Sequence, residues 1–272
     1  MTKLLLGLVL RALVVLAGAA FATFALLWFA PGDPAHTIAL ARYHNLVTSE
    51  VVEIVRAESG LDAGFWPAFW GWLTPLAVGD FGYSSVTGRP VGPDLLTAVS
   101  HTVPLAVLAL LIGLAIAVPL ALLAARHPGS VLDRVAVAIA SLGAAIPAYW
   151  LGLLLILLFA VKLGWLPAMG ARTPAHAILP ALTLGLGVAA SLTRIIRSGI
   201  LEARLQPFLP AFERRGVSAR AIGRDHVAPH AAVPVITVLG LELAFLLEGA
   251  VMIEVIFSRP GLGSFVVSAI ES

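Results

Sequence analysis

The run of apolar and polar positions predicts a chain made mostly of membrane helix. A helix rises about 1.5 Å per residue, so about 20 apolar residues cross a hydrocarbon core about 30 Å thick. Five segments reach that length: Ala12–Ala30, extended by Leu4–Leu10 beyond Arg11, then Val103–Ala125, Val135–Val161, Ala177–Ile196 and Ala231–Phe257. The first exceeds the apolar stretch of a cleaved leader, and "FAPGDPAH" offers a poor small-residue cleavage site, so it reads as a retained anchor. Pro31 to His101 forms a separate, more polar segment in which "SEVVEIVRAESGL" has the pattern of a short amphipathic helix ending at Gly60. The run "FWPAFWGWLTPLAVG" is too short and too interrupted by proline to span, and reads as interfacial. Pro119, Gly143 and Pro147 fall inside predicted spans, where they either kink helices or serve plain close packing. One stretch breaks the pattern: "AFERRGVSARAIGRDHVAPH", Ala211 to His230, is long enough for a helical hairpin and too charged to be buried.

Composition agrees with the pattern and charge adds an orientation. Of 272 residues 60% are hydrophobic and 12% charged, the balance of an integral membrane protein. A net charge of +2 without a basic stripe excludes a nucleic-acid signature, and the absence of cysteine excludes disulfides and thiolate metal sites. Eleven of the seventeen basic residues (Lys3, Arg11, Arg126, Arg134, Arg194, Arg197, Arg204, Arg214, Arg215, Arg220 and Arg224) belong to the N-terminus, the turn at "RHPGSVLDR" and the 197–230 segment. Arg42, Arg56, Arg89, Lys162, Arg172 and Arg259 are spread over longer opposite loops, so the positive-inside rule predicts a cytoplasmic N-terminus and a cytoplasmic 197–230 segment. Trp28, Trp66, Trp70, Trp72 and Trp165 fall at or beyond outer span ends, where indole prefers the headgroup level; Trp150 alone is mid-span.

Candidate chemistry is sparse. There is no G-x-x-x-x-G-K-[ST], G-x-S-x-G or H-E-x-x-H, so any nucleotide that powers this chain must be bound elsewhere, and hydrolysis is not indicated. His226 and His230 are spaced i, i+4, but Pro229 intervenes and no third ligand is near, so a metal site is rejected in favour of polar helix ends. Glu242, Glu248 and Glu254 lie in the fifth span, where a central carboxylate costs about 2.5–3.5 kcal/mol on insertion scales. Steps of six residues turn about 240° each, so the three point in different directions and do not form a single-face proton relay. The reading is that one or two line a polar cavity or an interface with another subunit, and that Glu254 hydrogen-bonds the "SRPGLG" loop.

A series of short motifs then becomes recognisable in order: "PGDPA", "GDFGYS", "HTVPL", "AAIPAYWLGLLLILLF", "WLPAMG", "ILPALTLG", "LTRIIRSGILE", "HAAVPVITVLGL" and "EVIFSRPGLG". Through them the chain resembles the first of the two inner-membrane permeases of dipeptide, oligopeptide and nickel ABC importers. The resemblance implies an all-α type I importer transmembrane domain: an anchor at 1–30, an external segment at 31–101, and a core permease at 102–272 with a coupling loop at 197–230. It implies a second homologous permease, two cytoplasmic ATPase subunits that bind ATP and Mg, and an extracytoplasmic substrate-binding protein, in a bacterial inner membrane. Cofactors within the chain itself, enzymatic activity and nucleic acid are not expected.

Coupling-loop contacts are expected at Ala211, Phe212, Glu213, Arg214, Arg215, Gly216, Val217, Ser218, Ala219, Ile222 and His226, with Phe212 as the apolar contact and the arginines as a rim. The importer form of this loop, E-A-A, three residues, glycine, nine residues, I-x-L-P, places Gly216 at its glycine and Pro210, Ala211 and Phe212 at E-A-A. "PAFERRG" departs from the peptide-permease version, whereas "HVAPHAAVP" follows it through His226, Ala231 and Pro234. Family members carry a sixth span after "PGLG", whereas these residues stop at Ser272, which by parity places that end outside. The competing classes are a proton-coupled secondary transporter using the intramembrane glutamates and a membrane scaffold without a path.

Overall fold

A computed structural model describes residues 2–43 and 47–271, with side chains from Leu6 onward. Among the described residues the chain is helical, with no strand beyond one isolated bridge, Tyr83 to Pro90. It divides into two compact units, one running to Asp94 and the other Leu95–Glu271.

The first unit opens with α1 (Thr2–Trp28). Asp33 then starts α2 (Pro34–Tyr43) by accepting the Ala35 N–H at 3.1 Å, beside a proline that lacks the donor a first helical residue would leave unused. The predicted amphipathic helix is α3 (Ser49–Glu58), capped by Thr48 and stopped at Gly60, whose φ of +65° a side-chain-bearing residue adopts only with strain. Ala35 and Ala39 of α2 meet Val52 and Val55 of α3 in a small core. The tryptophan-rich run is α4 (Phe65–Ala77), held along α1 by aromatic contacts: Phe24 lies 5.5 Å from Phe65 and 5.4 Å from Phe69, both edge to face.

The second unit is a helix bundle around α8 (Ile178–Arg204), in which 15 of 27 residues are buried. The long helix α5 (Val91–Arg126) starts twelve residues before the predicted span and passes Pro104 and Pro119 without breaking. Its 36 residues rise about 54 Å, so it projects well beyond a hydrocarbon core. Its buried stripe, Ala106, Ala109, Gly113, Ala117 and Ala121, is made of small residues that bring α8 within backbone contact.

The predicted third span is not continuous. It is two helices, α6 (Val131–Ala145) and α7 (Ala148–Leu155), the latter prolonged by a wider π turn over Ile156–Lys162, and the two axes differ by 99°. The break falls at Ile146 and Pro147. A residue before proline is pushed out of the helical region, and Ile146 takes ψ 124°. Uniform hydrophobicity hid this break, because an apolar run is equally apolar on either side of a bend. Four described helices are thus long and apolar enough to cross a bilayer, with the bent pair as a fifth candidate.

Short α9 (Leu209–Arg214) and α10 (Ala219–Ile222) precede α11 (Ala228–Ile256), and α12 (Leu262–Glu271) closes the described chain. A Cβ at Gly185 of α8 would lie 2.8 Å from the Ala109 carbonyl oxygen and 3.0 Å from Ile112 Cβ, whereas one at Gly187 meets nothing within 4 Å. Gly185→Val should therefore destabilise the detergent-solubilised protein by about 1–3 kcal/mol more than Gly187→Val, since overpacking is the difference between them. Thermal unfolding of the two variants checks this; equal midpoints would contradict the close α5–α8 contact.

Candidate functional site

The charged stretch folds as predicted at its glycine and otherwise at its second half. Helix α9 ends in a paired backbone motif: the Gly216 N–H donates to the Glu213 carbonyl at 2.9 Å, and the Val217 N–H to the Phe212 carbonyl at 3.1 Å. Closing it needs a left-handed residue, and Gly216 has φ +77°. Nothing lies within 4 Å of where its Cβ would be, so conformation and not space selects glycine. Phe212 and Val217, the pair this motif brings together, both pack partly buried against the main core. Ser218 then caps α10 by accepting the Ala221 N–H at 3.3 Å. The second helix of the hairpin, α10, does not stand alone. Instead α10 passes through a π turn at Gly223–Val227 directly into α11, giving one 38-residue rod, Ala219–Ile256.

Ala211, Glu213, Arg214, Arg215, Gly216, Ser218 and Ala219 are exposed, Phe212, Val217 and His226 are half-buried, and Ile222 is buried. The arginine rim, Arg214, Arg215, Arg220 and Arg224, is exposed throughout. Phe212, expected to present an apolar contact outward, turns inward and stacks on His226 with ring centroids 4.0 Å apart and planes at 22°. Leu205 is 82% exposed, and Phe208 lies with its ring 6.4 Å from that of Phe212. His230 donates through Nδ1 to the His226 carbonyl at 2.8 Å, and its ring lies 5.2 Å from Phe208. A carbonyl can only accept, so this contact requires Nδ1 to carry the proton. Arg224 grips Asp225 with two hydrogen bonds, 2.6 and 3.0 Å, and these hold the exposed carboxyl below the usual carboxylate range.

Beneath this knob lies a polar tie that the sequence reading did not single out. Asp133 is buried at the start of α6 and takes a forked pair from Arg197 of α8, Nε at 2.5 Å and the terminal nitrogen at 2.7 Å. Asp133 also accepts the Gly129 N–H at 2.8 Å, while its own N–H donates to Ser130 at 3.2 Å. Arg204 of α8 reaches the Ala125 carbonyl at the end of α5. The spacing Ser130-x-x-Asp133 at a helix start was the available signal. Near the same end Gly199 of α8 lies against Ala231 of α11, where a Cβ would be 3.1 Å from the Ala231 carbonyl oxygen. The last turns of α8, which lead into the knob, are thus tied to α5, α6 and α11.

The three glutamates occupy three environments, as their spacing requires. Glu242 is half-buried and lines a cleft of about 190 Å³ with Ile146, Ala148 and Leu151 of the α6–α7 break. Glu248 is exposed on the helix surface. Glu254 is fully buried and closes the opposite end of the bundle. It accepts the Gly263 N–H at 2.7 Å and the Ser264 N–H at 3.3 Å, satisfying donors at the start of α12, and the Thr102 hydroxyl of α5 at 2.5 Å. Thr102 in turn accepts the Leu262 N–H at 2.8 Å. The expected bond from Glu254 to the loop that follows is therefore present. Gly261 and Gly263 are required here, because Cβ atoms would collide with the Glu254 carboxylate and the Val251 backbone respectively.

Long apolar helices around a small-residue core, a bent span beside a cleft, and a charged knob leading into α11 make up a multi-pass membrane domain whose fold is that of type I ABC importer transmembrane domains. In fold the chain is similar to a crystallised amino acid ABC transporter (TM-score 0.52, 20% identity, 67% of this chain and 81% of that one). It is similar also to the MetNI methionine ABC transporter in an inward-facing form (TM-score 0.51, 23% identity, 63% and 77%). The chain belongs to the binding-protein-dependent transport system inner membrane components, matching that family over residues 117–272 and its N-terminal region over residues 1–106. It is 36% identical to the glutathione transport system permease protein GsiC of Salmonella choleraesuis, over 99% of this chain and 85% of the relative. It is thus a multi-pass permease subunit of an ABC importer, and the proton-coupled and scaffold alternatives fall away.

Removing one member of a buried ion pair costs about 3–5 kcal/mol. With the Arg197 side chain 23% exposed, Asp133→Asn and Arg197→Gln should each cost less than that range. The double variant should lose clearly less than the sum of the singles. Thermal unfolding in detergent measures the cycle, and strict additivity would show that the two side chains do not act as a pair.

Proposed function

We propose that the knob formed by residues 209–227 is the surface through which cytoplasmic ATPase subunits drive this permease. The observation that carries the reading is the paired backbone motif at Gly216, set on the rod Ala219–Ile256 and braced underneath by Asp133 and Arg197. Such a knob moves as a body: a partner's push on the exposed arginines and Leu205 is passed to α11 and α8, not absorbed by a loose loop. The positive-inside distribution supports a cytoplasmic position for this end and for the N-terminus. A second, homologous permease would complete the path, and an extracytoplasmic binding protein would deliver cargo to the other end.

The cleft at the α6–α7 break supports a cargo path that passes Glu242. Relatives named as glutathione permeases support short peptides or related small solutes as cargo, with nickel chelates a further member of the class. Alternation between outward-open and inward-open states would then follow ATPase closure.

Gly216→Val places a β-branched residue where φ is +77°. It should reduce stimulation of ATP hydrolysis by cargo-loaded binding protein at least fivefold in the reconstituted transporter, with normal membrane insertion. Gly216→Asn, which tolerates the left-handed region, should retain most of it. Wild-type stimulation in the valine variant would overturn the docking role.

A further inference from the structure

The first unit contains a cavity of about 740 Å³ that the transport reading does not use. Its size lies within the roughly 300–1,000 Å³ of pockets that enclose small ligands. One wall is aromatic, from Phe24 and Trp28 of α1 and Trp72 of α4. The recess exists because α4 is narrow here: Ala68 and Gly71 line it, and a Cβ added at Gly71 meets nothing within 4 Å. The polar residues that line it are Arg56, Ser59 and Ser85.

Two features define the occupant. Leu27 lines the cavity and is 68% exposed on a span that is bare along its length, so the recess is continuous with a surface that lipid chains must cover. Trp28 places it near the end of that span, at the depth of headgroups. Arg56 does not present a bare positive charge, since it bonds Asp33 at 2.7 Å and lies 3.5 Å from Glu53. Asp33 and Glu53 flank the guanidinium of Arg56 without belonging to the cavity lining, so a headgroup that brings both signs suits the site, phosphate to Arg56 and ammonium towards the acids. A purely anionic headgroup would meet the carboxylates without compensation.

We propose that this cavity binds one zwitterionic phospholipid, an acyl chain entering against Phe24, Trp28 and Trp72 and the phosphate lying at Arg56. The full chain, delipidated in nonionic detergent, is incubated with vesicles of phosphatidylethanolamine or of phosphatidylglycerol and examined by native mass spectrometry. The wild-type chain should retain one phosphatidylethanolamine and prefer it over phosphatidylglycerol. Gly71→Phe and Ala68→Leu, which fill the recess, should each retain at least fivefold less at unchanged elution volume. If Gly71→Phe fails to fold, the milder Ala68→Leu decides. No retained lipid, equal retention in a folded filled variant, or preference for phosphatidylglycerol would each overturn the proposal.

Discussion

The second unit depends on how closely other helices approach α8. In a bilayer the lipid is as apolar as leucine, so burying leucine against leucine gives no net driving force, and association relies on contact at short range. Gly185 and Gly199 allow that contact: one meets the backbone of α5, the other that of α11. Once these helices are in register, the polar groups of α8 have only certain partners within reach. Thr183 and Thr193 return their hydroxyls to carbonyls one turn back, and Arg197 and Arg204 reach α6 and the end of α5. Small residues bring the helices together, and the buried polar bonds fix which arrangement forms.

At either end of this bundle a carboxylate accepts from backbone donors. Asp133 does so for the exposed turn before α6, and Glu254 for the buried start of α12. An unpaired buried amide costs about 1–3 kcal/mol, so Glu254 stabilises the helix start it serves as well as the helices it joins. Their companions differ. Asp133 has a forked arginine, whereas Glu254 has a threonine hydroxyl and backbone groups. Arg259, although buried nearby, gives a hydrogen bond to the His176 carbonyl and keeps a buried Nε without a partner. That end of the bundle is consequently held by a capped helix start and not by a forked ion pair.

Much of this was legible in the sequence because the relevant signals are local. Hydrophobic length located the long helices, Gly60 marked the end of the short amphipathic helix, and six-residue spacing separated the glutamates. The errors came where the determining partner is distant or where composition is uniform. The bend at Ile146 and Pro147 interrupts a run that is equally apolar on both sides. The early start of α5 depends on turns that are too polar for a span yet fully able to be helical. Phe212 was assigned outward because aromatic residues in charged loops commonly mark interfaces, but His226, fourteen residues on, offers its ring a face. The partner of Asp133 lies 64 residues away, and only the fold brings Arg197 to it.

The two ends are linked by the rod Ala219–Ile256, which carries the knob at its start and Glu254 two residues before its finish. Along α11 each turn is tied to the next by backbone bonds, so displacement at one end must appear at the other as rotation or translation, not compression. Ahead of α11 the rod passes through the π turn at Gly223–Val227, where the helix is wider. It forms the last part of the knob, directly ahead of α11. A push on the knob therefore reaches Glu242 and Glu254 through this turn. Asp133 and Arg197 anchor the C-terminal half of α8, against which α11 packs, and so favour motion of the rod as one body.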